Sequence, residues 1–122
     1  MTTYIIVGAV INFVLGWAWY TYLFPKVQEE YGGKPSMREL TLYAVSALIF
    51  AAAVGTFIKN RNVLDTADTL RLGFKIWLGF TLPISLGWWA ATRKSLTAFV
   101  ADTGFWLVAS IVLAVLAASL LL

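Results

Sequence analysis

Residues 4–24 read "YIIVGAVINFVLGWAWYTYLF", a run without one charged side chain. The hydrocarbon core of a bilayer is about 30 Å thick, and a helix crosses it with about 20 apolar residues. The run could be mistaken for a signal peptide. It lacks a basic n-region, outlasts an ordinary h-region and ends in bulky aromatics where a cleavage site needs small residues. The expectation is a retained membrane span. Three more stretches fit the same template: residues 40–58, "LTLYAVSALIFAAAVGTFI", residues 75–92, "KIWLGFTLPISLGWWAAT", and residues 103–122, "TGFWLVASIVLAVLAASLLL".

The composition agrees. The chain of 122 residues is 61% hydrophobic and 12% charged, whereas soluble domains carry roughly 25% charged residues. The expected architecture is an all-α integral membrane protein, a single four-transmembrane-helix bundle over residues 1–122. Its partners are then the lipid bilayer and either further copies of itself or other membrane subunits, and its expected location is an integral, multi-pass one in a membrane. Cysteine and histidine are both absent. That removes thiol nucleophiles, imidazole bases, Cys/His metal sites and His-held haem. No cofactor, no metal and no catalytic constellation are expected, and the net charge of +3 gives no support for nucleic-acid binding.

The connections are short. In "PKVQEEYGGKPSMRE", Pro25 can open a helical turn and Gly32-Gly33 can close it. Ser36 and Glu39 have capping-box spacing ahead of the second span. Asp65 or Thr66 is the expected cap of the third helix, which then starts before the bilayer; the segment "TRKSLTAFVAD" is expected to lie partly along the interface.

The end of the first run, "LGWAWYTYLFPK", returns in shortened form as "LGWWAATRK" at residues 86–94. Trp and Tyr favour the headgroup level. Trp17, Trp19, Trp88, Trp89 and Trp106 fall toward one end of the bundle and Trp77 toward the other. One reading is an aromatic belt with a basic anchor. The other is an aromatic pocket between helices, because rings at 17, 19, 20, 22 and 24 cannot all face lipid at one depth. Sliding the chain by 71 positions also pairs Gly8 with Gly79, Gly16 with Gly87 and Trp17 with Trp88. Two duplicated hairpins would give that pattern, as in some transporters, and so would shared membrane composition.

Small residues mark close helix contacts in membranes. The candidate packing positions are Gly8 and Gly16 in the first span, Ala47, Ala51 and Gly55 in the second, and Gly79 and Gly87 in the third. Pro83 leaves a carbonyl without its donor and is expected to kink the third span. The candidate intramembrane polar or pocket residues are Asn12, Trp17, Trp19, Tyr20, Lys75, Trp77, Pro83, Trp88, Asp102 and Trp106. Asn12 stands alone as a strongly polar group mid-span. Lys75 and Asp102 are the ionisable groups nearest the hydrocarbon, at opposite ends. Lys75 can snorkel, and Asp102 is within reach of Arg93 or Lys94. Cytoplasmic loops usually hold more Lys and Arg, but five lie on one side and four on the other, so charge does not set the orientation.

Three pieces, "NFVLGWAWYTYLF", "LGFKIWLGFTLP" and "ADTGFWLV", occur in order through the chain. Together they resemble the uncharacterised four-span membrane proteins grouped as domain of unknown function 1761. Thr21-Tyr22 replace the Ser-Pro usual there, and Asp102 replaces an Asn. The resemblance implies a fold and no established activity. Two functional classes follow from the residues: an oligomeric transport-like or small-ligand or lipid-binding bundle, and an accessory or scaffold subunit of a larger membrane complex. An enzyme is not expected.

Overall fold

Apolar runs bounded by local stop signals become helices throughout the computed structural model, which describes residues 1–60, 65–92 and 94–121. Helix α1 (Thr2–Ala18) continues into a π-helical turn (Trp19–Leu23), closed by the Phe24 N–H donating to the Trp19 carbonyl at 3.0 Å. The chain then breaks at Phe24, and Pro25 opens the short α2 (Pro25–Glu30). Proline is preorganised for that first position and has no N–H to waste. Gly32 and Gly33 end α2 with φ of 102° and 85°. Their N–H groups donate to the carbonyls of Glu29 and Gln28, the paired bonds of a Schellman ending, which L side chains resist.

Helix α3 (Met37–Asn60) starts on the Ser36 hydroxyl, which accepts from the Glu39 N–H at 3.2 Å. The Glu39 side chain meets that hydroxyl rather than the Ser36 N–H, so half of the expected capping box forms. Asp65 caps α4 (Thr66–Ile76), accepting from the Asp68 N–H at 2.8 Å. A second π-helical turn (Trp77–Thr81) leads into α5 (Leu82–Thr92). Here the Leu82 N–H reaches the Trp77 carbonyl, immediately before Pro83, which has no N–H to offer. The irregularity expected at Pro83 takes the form of this wide turn. Helix α6 (Leu96–Leu121) begins on the Ser95 hydroxyl, which accepts from the Ala98 N–H at 3.1 Å.

That early start corrects the sequence reading at one point: residues 96–102 are already the first turns of α6, and Asp102 lies within the helix rather than ahead of it. Charge had ended the apolar window at Asp102, whereas the true helix signal is the Ser95 cap seven positions earlier. Arg61 lies outside the described residues.

Among the described residues three helices are long and apolar enough to cross a membrane: Thr2–Leu23, Met37–Asn60 and Leu96–Leu121. The stretch expected as a further span is helical from Thr66 to Thr92, but its first half carries Asp68, Arg71 and Lys75. Among the described residues there is no strand.

Helix α6 is the hub, packing against α1, α3, α4 and α5. Its inner face is small: Ala98, Ala101, Ser110, Ala114 and Ala117 are fully buried. Small side chains let neighbouring backbones come close, which is how helices gain contact where no water drives them together. Gly73 of α4 is the tightest backbone approach, since a Cβ there would stand 3.2 Å from Ile111 Cα and from the Ser110 carbonyl oxygen. Helices α1 and α3 meet through Gly8 against Ala51 and through the Tyr4 ring against Gly55. Tyr4, Val54, Ile58, Leu72, Ile76 and Leu113 fill the core at this end of the bundle. Gly79 and Gly87 face open space and pack against no other element of the chain. The packing glycine of this run is Gly73, which the four-residue stripe passed over.

Candidate functional site

The opposite end of the bundle is hollow. The C-terminal part of α1, the first turns of α3, the end of α5 and the first turns of α6 enclose a cavity of about 580 Å³. Its walls are aromatic: Phe13, Trp17, Tyr20, Tyr31, Tyr43, Trp88, Trp89, Phe99, Phe105 and Trp106. Polar groups join them from every side, with Asn12, Ser46, Ser85 and Thr92 along the wall and Gln28, Glu39, Lys94 and Asp102 toward the loops.

Asp102 is the centre of this arrangement. It is half-buried on α6, and its two carboxylate oxygens accept from two phenols, Tyr20 on one and Tyr31 on the other. The helix turns on either side are held as well. The Trp19 indole N–H donates to the Ala101 carbonyl at 3.0 Å, and the Trp77 indole N–H donates to the Thr103 carbonyl at 2.8 Å. Each of those tryptophans opens one of the two π-helical turns. Successive residues of a regular α-helix point about 100° apart. Widening the turn changes that angle, and π turns gather at functional sites. Here Trp19 and Tyr20, adjacent in sequence, both reach α6.

Helix α2 straps this end shut. Its Val27 is buried among Tyr20, Phe24, Ala98 and Ala101. Glu30 accepts from the Ser95 N–H at 2.7 Å and from the Ser95 hydroxyl at 2.6 Å, so it braces the start of α6. Those two bonds, the Ser95 hydroxyl first, hold the Glu30 carboxyl below the usual carboxylate range. Tyr31, next along, has its phenol pushed above the ordinary tyrosine range, first by burial and then by its bond to Asp102. It therefore remains a neutral donor toward that carboxylate.

The expected ion pair of Asp102 with Lys94 does not form. The Lys94 ammonium donates to the Glu30 carbonyl at 3.3 Å and lies 5.3 Å from the centre of the Tyr31 ring. A cation is favoured there by the carbonyl-rich end of α2 and by the ring face. Arg93 lies outside the described residues.

Of the sequence candidates, Asn12, Trp17, Tyr20, Trp88, Asp102 and Trp106 line the cavity. Asn12 is only 4% exposed, and its Oδ1 has no hydrogen-bond partner in the chain. Trp17 and Trp88 are largely exposed and suit a belt. Trp106 turns inward, edge-on to Phe50 and Phe105 with ring centres 5.0 Å away in each case. The rings of the aromatic phrase thus point different ways, Trp17 outward and Trp19 and Tyr20 toward α6. Trp77 was assigned to the far end of the bundle; its indole instead reaches Thr103, beside Asp102. Lys75 is exposed on α4 and Pro83 is exposed on α5, and neither lines the cavity. The positions paired by the 71-residue offset do different work: Gly16 packs on Phe105, whereas Gly87 touches nothing within 4 Å.

Tyr31, Glu30, Ser85 and Tyr43 were not singled out from sequence, and Trp89 was placed only with the tryptophans at one end. The roles of Tyr31 and Glu30 come from contacts across the chain, to Asp102 and Ser95, whereas the Trp89 indole donates to the Lys94 carbonyl at 2.8 Å and stacks on Phe99. The Gly32-Gly33 stop was the one usable signal, because it ends α2 and leaves Tyr31 at its cap.

Fold and site together define an all-helical protein of membrane-spanning type with a polar, aromatic-walled cavity at one end. The chain belongs to the family described as protein of unknown function, DUF1761, which it matches over residues 3–118. No curated protein matches the chain, and no solved structure does.

Proposed function

We propose that this chain is a four-span, non-catalytic bundle that holds a small amphipathic molecule in its end cavity, as the binding unit of an oligomeric transport-like or lipid-handling protein in a bacterial cytoplasmic membrane. The observation that carries the proposal is the cavity. At about 580 Å³ it falls within the range of roughly 300–1,000 Å³ typical of small-molecule sites. It is mostly ring-lined, with a few convergent polar groups, as such sites are.

Four spans follow from length. The helical run from Thr66 to Thr92 extends about 40 Å at 1.5 Å per residue, enough to cross a core of about 30 Å. Its charged residues lie toward the start, where Asp68 and Arg71 pair with one another and Lys75 can snorkel. An oligomer is supported by α5, which buries no residue within the chain and presents Ile84, Leu86 and Trp88 outward. That face suits a second copy.

Native mass spectrometry of the protein, extracted gently from its own membrane, tests this. The expected result is a homo-oligomer that retains a small molecule or lipid. A ligand-free protein in stoichiometric complex with a different membrane protein would overturn the proposal in favour of an accessory subunit.

A further inference from the structure

Resting on the cavity as a ligand site, we propose that its ligand carries an ammonium group on a small apolar body, with Asp102 as the counter-ion and the surrounding rings as a cage.

Charge balance is the first support. Among the described residues the lining contains two carboxylates, Asp102 and Glu39, against one ammonium, Lys94. Lys94 is engaged elsewhere, on the Glu30 carbonyl and the Tyr31 ring. Among the described residues no cation forms an ion pair with Asp102; the ion pair there joins Asp68 and Arg71. A carboxylate has about four lone-pair sites, and the phenols of Tyr20 and Tyr31 use one on each oxygen. Two remain for a donor or a positive charge. Ionisable groups at membrane depth are costly without a partner, and among the described residues none offers Asp102 a charge, so a cation in the cavity would suit it.

Asn12 is the second, independent support. It sits on a different helix, is almost wholly buried, lines the same cavity and has an unpartnered carbonyl oxygen. An unmet acceptor in an apolar wall is costly, and the positive charge of an ammonium group, with or without an N–H, would be drawn to it. The walls supply the third. Trp17, Tyr43, Trp88 and Trp106 line the cavity, and aromatic ring faces attract cations, tryptophan most strongly. An anionic ligand would face the reverse of each of these terms.

The ammonium could be carried by a free organic cation or by a choline or ethanolamine headgroup. The test uses full-length protein in neutral maltoside micelles. Binding of benzyltrimethylammonium is compared with that of neopentylbenzene, its uncharged isostere, by calorimetry and tryptophan fluorescence. The expected result is a preference for the cation of about tenfold or more. Asp102→Asn should remove most of that preference and leave the isostere unchanged, because an Asn can still pair with both phenols while losing the charge. Trp88→Leu, on an exposed ring that the fold does not need, should weaken the cation selectively and guards against misfolding of the first variant.

A parallel titration with phosphatidylcholine against phosphatidylglycerol separates the sources. Selective retention of phosphatidylcholine that benzyltrimethylammonium cannot displace identifies a headgroup, and ready displacement identifies a free cation; both support the inference. Equal binding of cation and isostere, indifferent to Asp102→Asn, overturns it while leaving the cavity a ligand site. Failure of every probe, in protein that also retains nothing from its membrane, overturns the ligand site itself.

Discussion

Replacing Gly73 with alanine tests whether α4 and α6 are held together by close backbone contact. The added methyl would stand 3.2 Å from Ile111 Cα, 3.2 Å from the Ser110 carbonyl oxygen and 3.3 Å from Ala114 Cβ. Two of those three atoms are backbone and cannot rotate aside. Relief requires the helices to separate by a few tenths of an ångström, which also stretches the nearby bond from Trp77 to Thr103, now 2.8 Å. Overpacking of this kind costs about 1–3 kcal/mol. Alanine recovers about 1 kcal/mol of helix propensity, so Gly73→Ala should destabilise by about 0–2 kcal/mol. Gly79→Ala is the matched control, because a Cβ there meets nothing within 4 Å. The propensity gain is common to both variants, so their difference isolates the packing cost of about 1–3 kcal/mol. Reversible unfolding in mixed micelles with increasing dodecyl sulfate, followed by tryptophan fluorescence, measures both. Equal stabilisation of the two variants would refute the close α4–α6 contact.

Three further outcomes are expected. Trp77→Phe keeps the ring contact with Phe74 but loses the indole bond to Thr103, and should lower stability in the same assay by about 1 kcal/mol. Glu30→Ala removes both bonds to Ser95, so amide exchange should quicken across α2 and residues 95–98 while the core near Leu113 stays protected. Because the Glu30 carboxyl is held low, its bracing is present above the ordinary glutamate value of about 4.3 and is lost as pH falls through the lower folded value; acid should therefore mimic Glu30→Ala. For Tyr31 the sign reverses. Its raised phenol contributes stability fully below the ordinary tyrosine value of about 10, lost as pH climbs through the folded one. Tyr31→Phe should shrink the late-ionising part of the tyrosinate absorbance by one tyrosine.

The parts of this molecule that were legible in sequence are those decided locally. Apolar runs gave the helices, and Pro25, Gly32-Gly33, Ser36 and Asp65 gave their ends, because a cap is settled within four residues. The cavity was half legible: Asn12, Tyr20 and Asp102 stood out as polar groups in apolar surroundings, and all three line it. The partners were hidden. Tyr31 and Asp102 are 71 positions apart, and Glu30 and Ser95 are 65 apart. Nothing near Lys94 announces that it will turn from Asp102 to the end of α2. The π turns were hidden for the same reason, since the carbonyls that Trp19 and Trp77 seek belong to α6.

The bundle is a vessel with one mouth. Rings and polar groups line the hollow between Asn12 and Lys94, while Tyr4, Ile58, Leu72 and Leu113 make a solid floor beneath it. For a ligand bound as proposed above, the open rim is then the near side and this packed floor the far one.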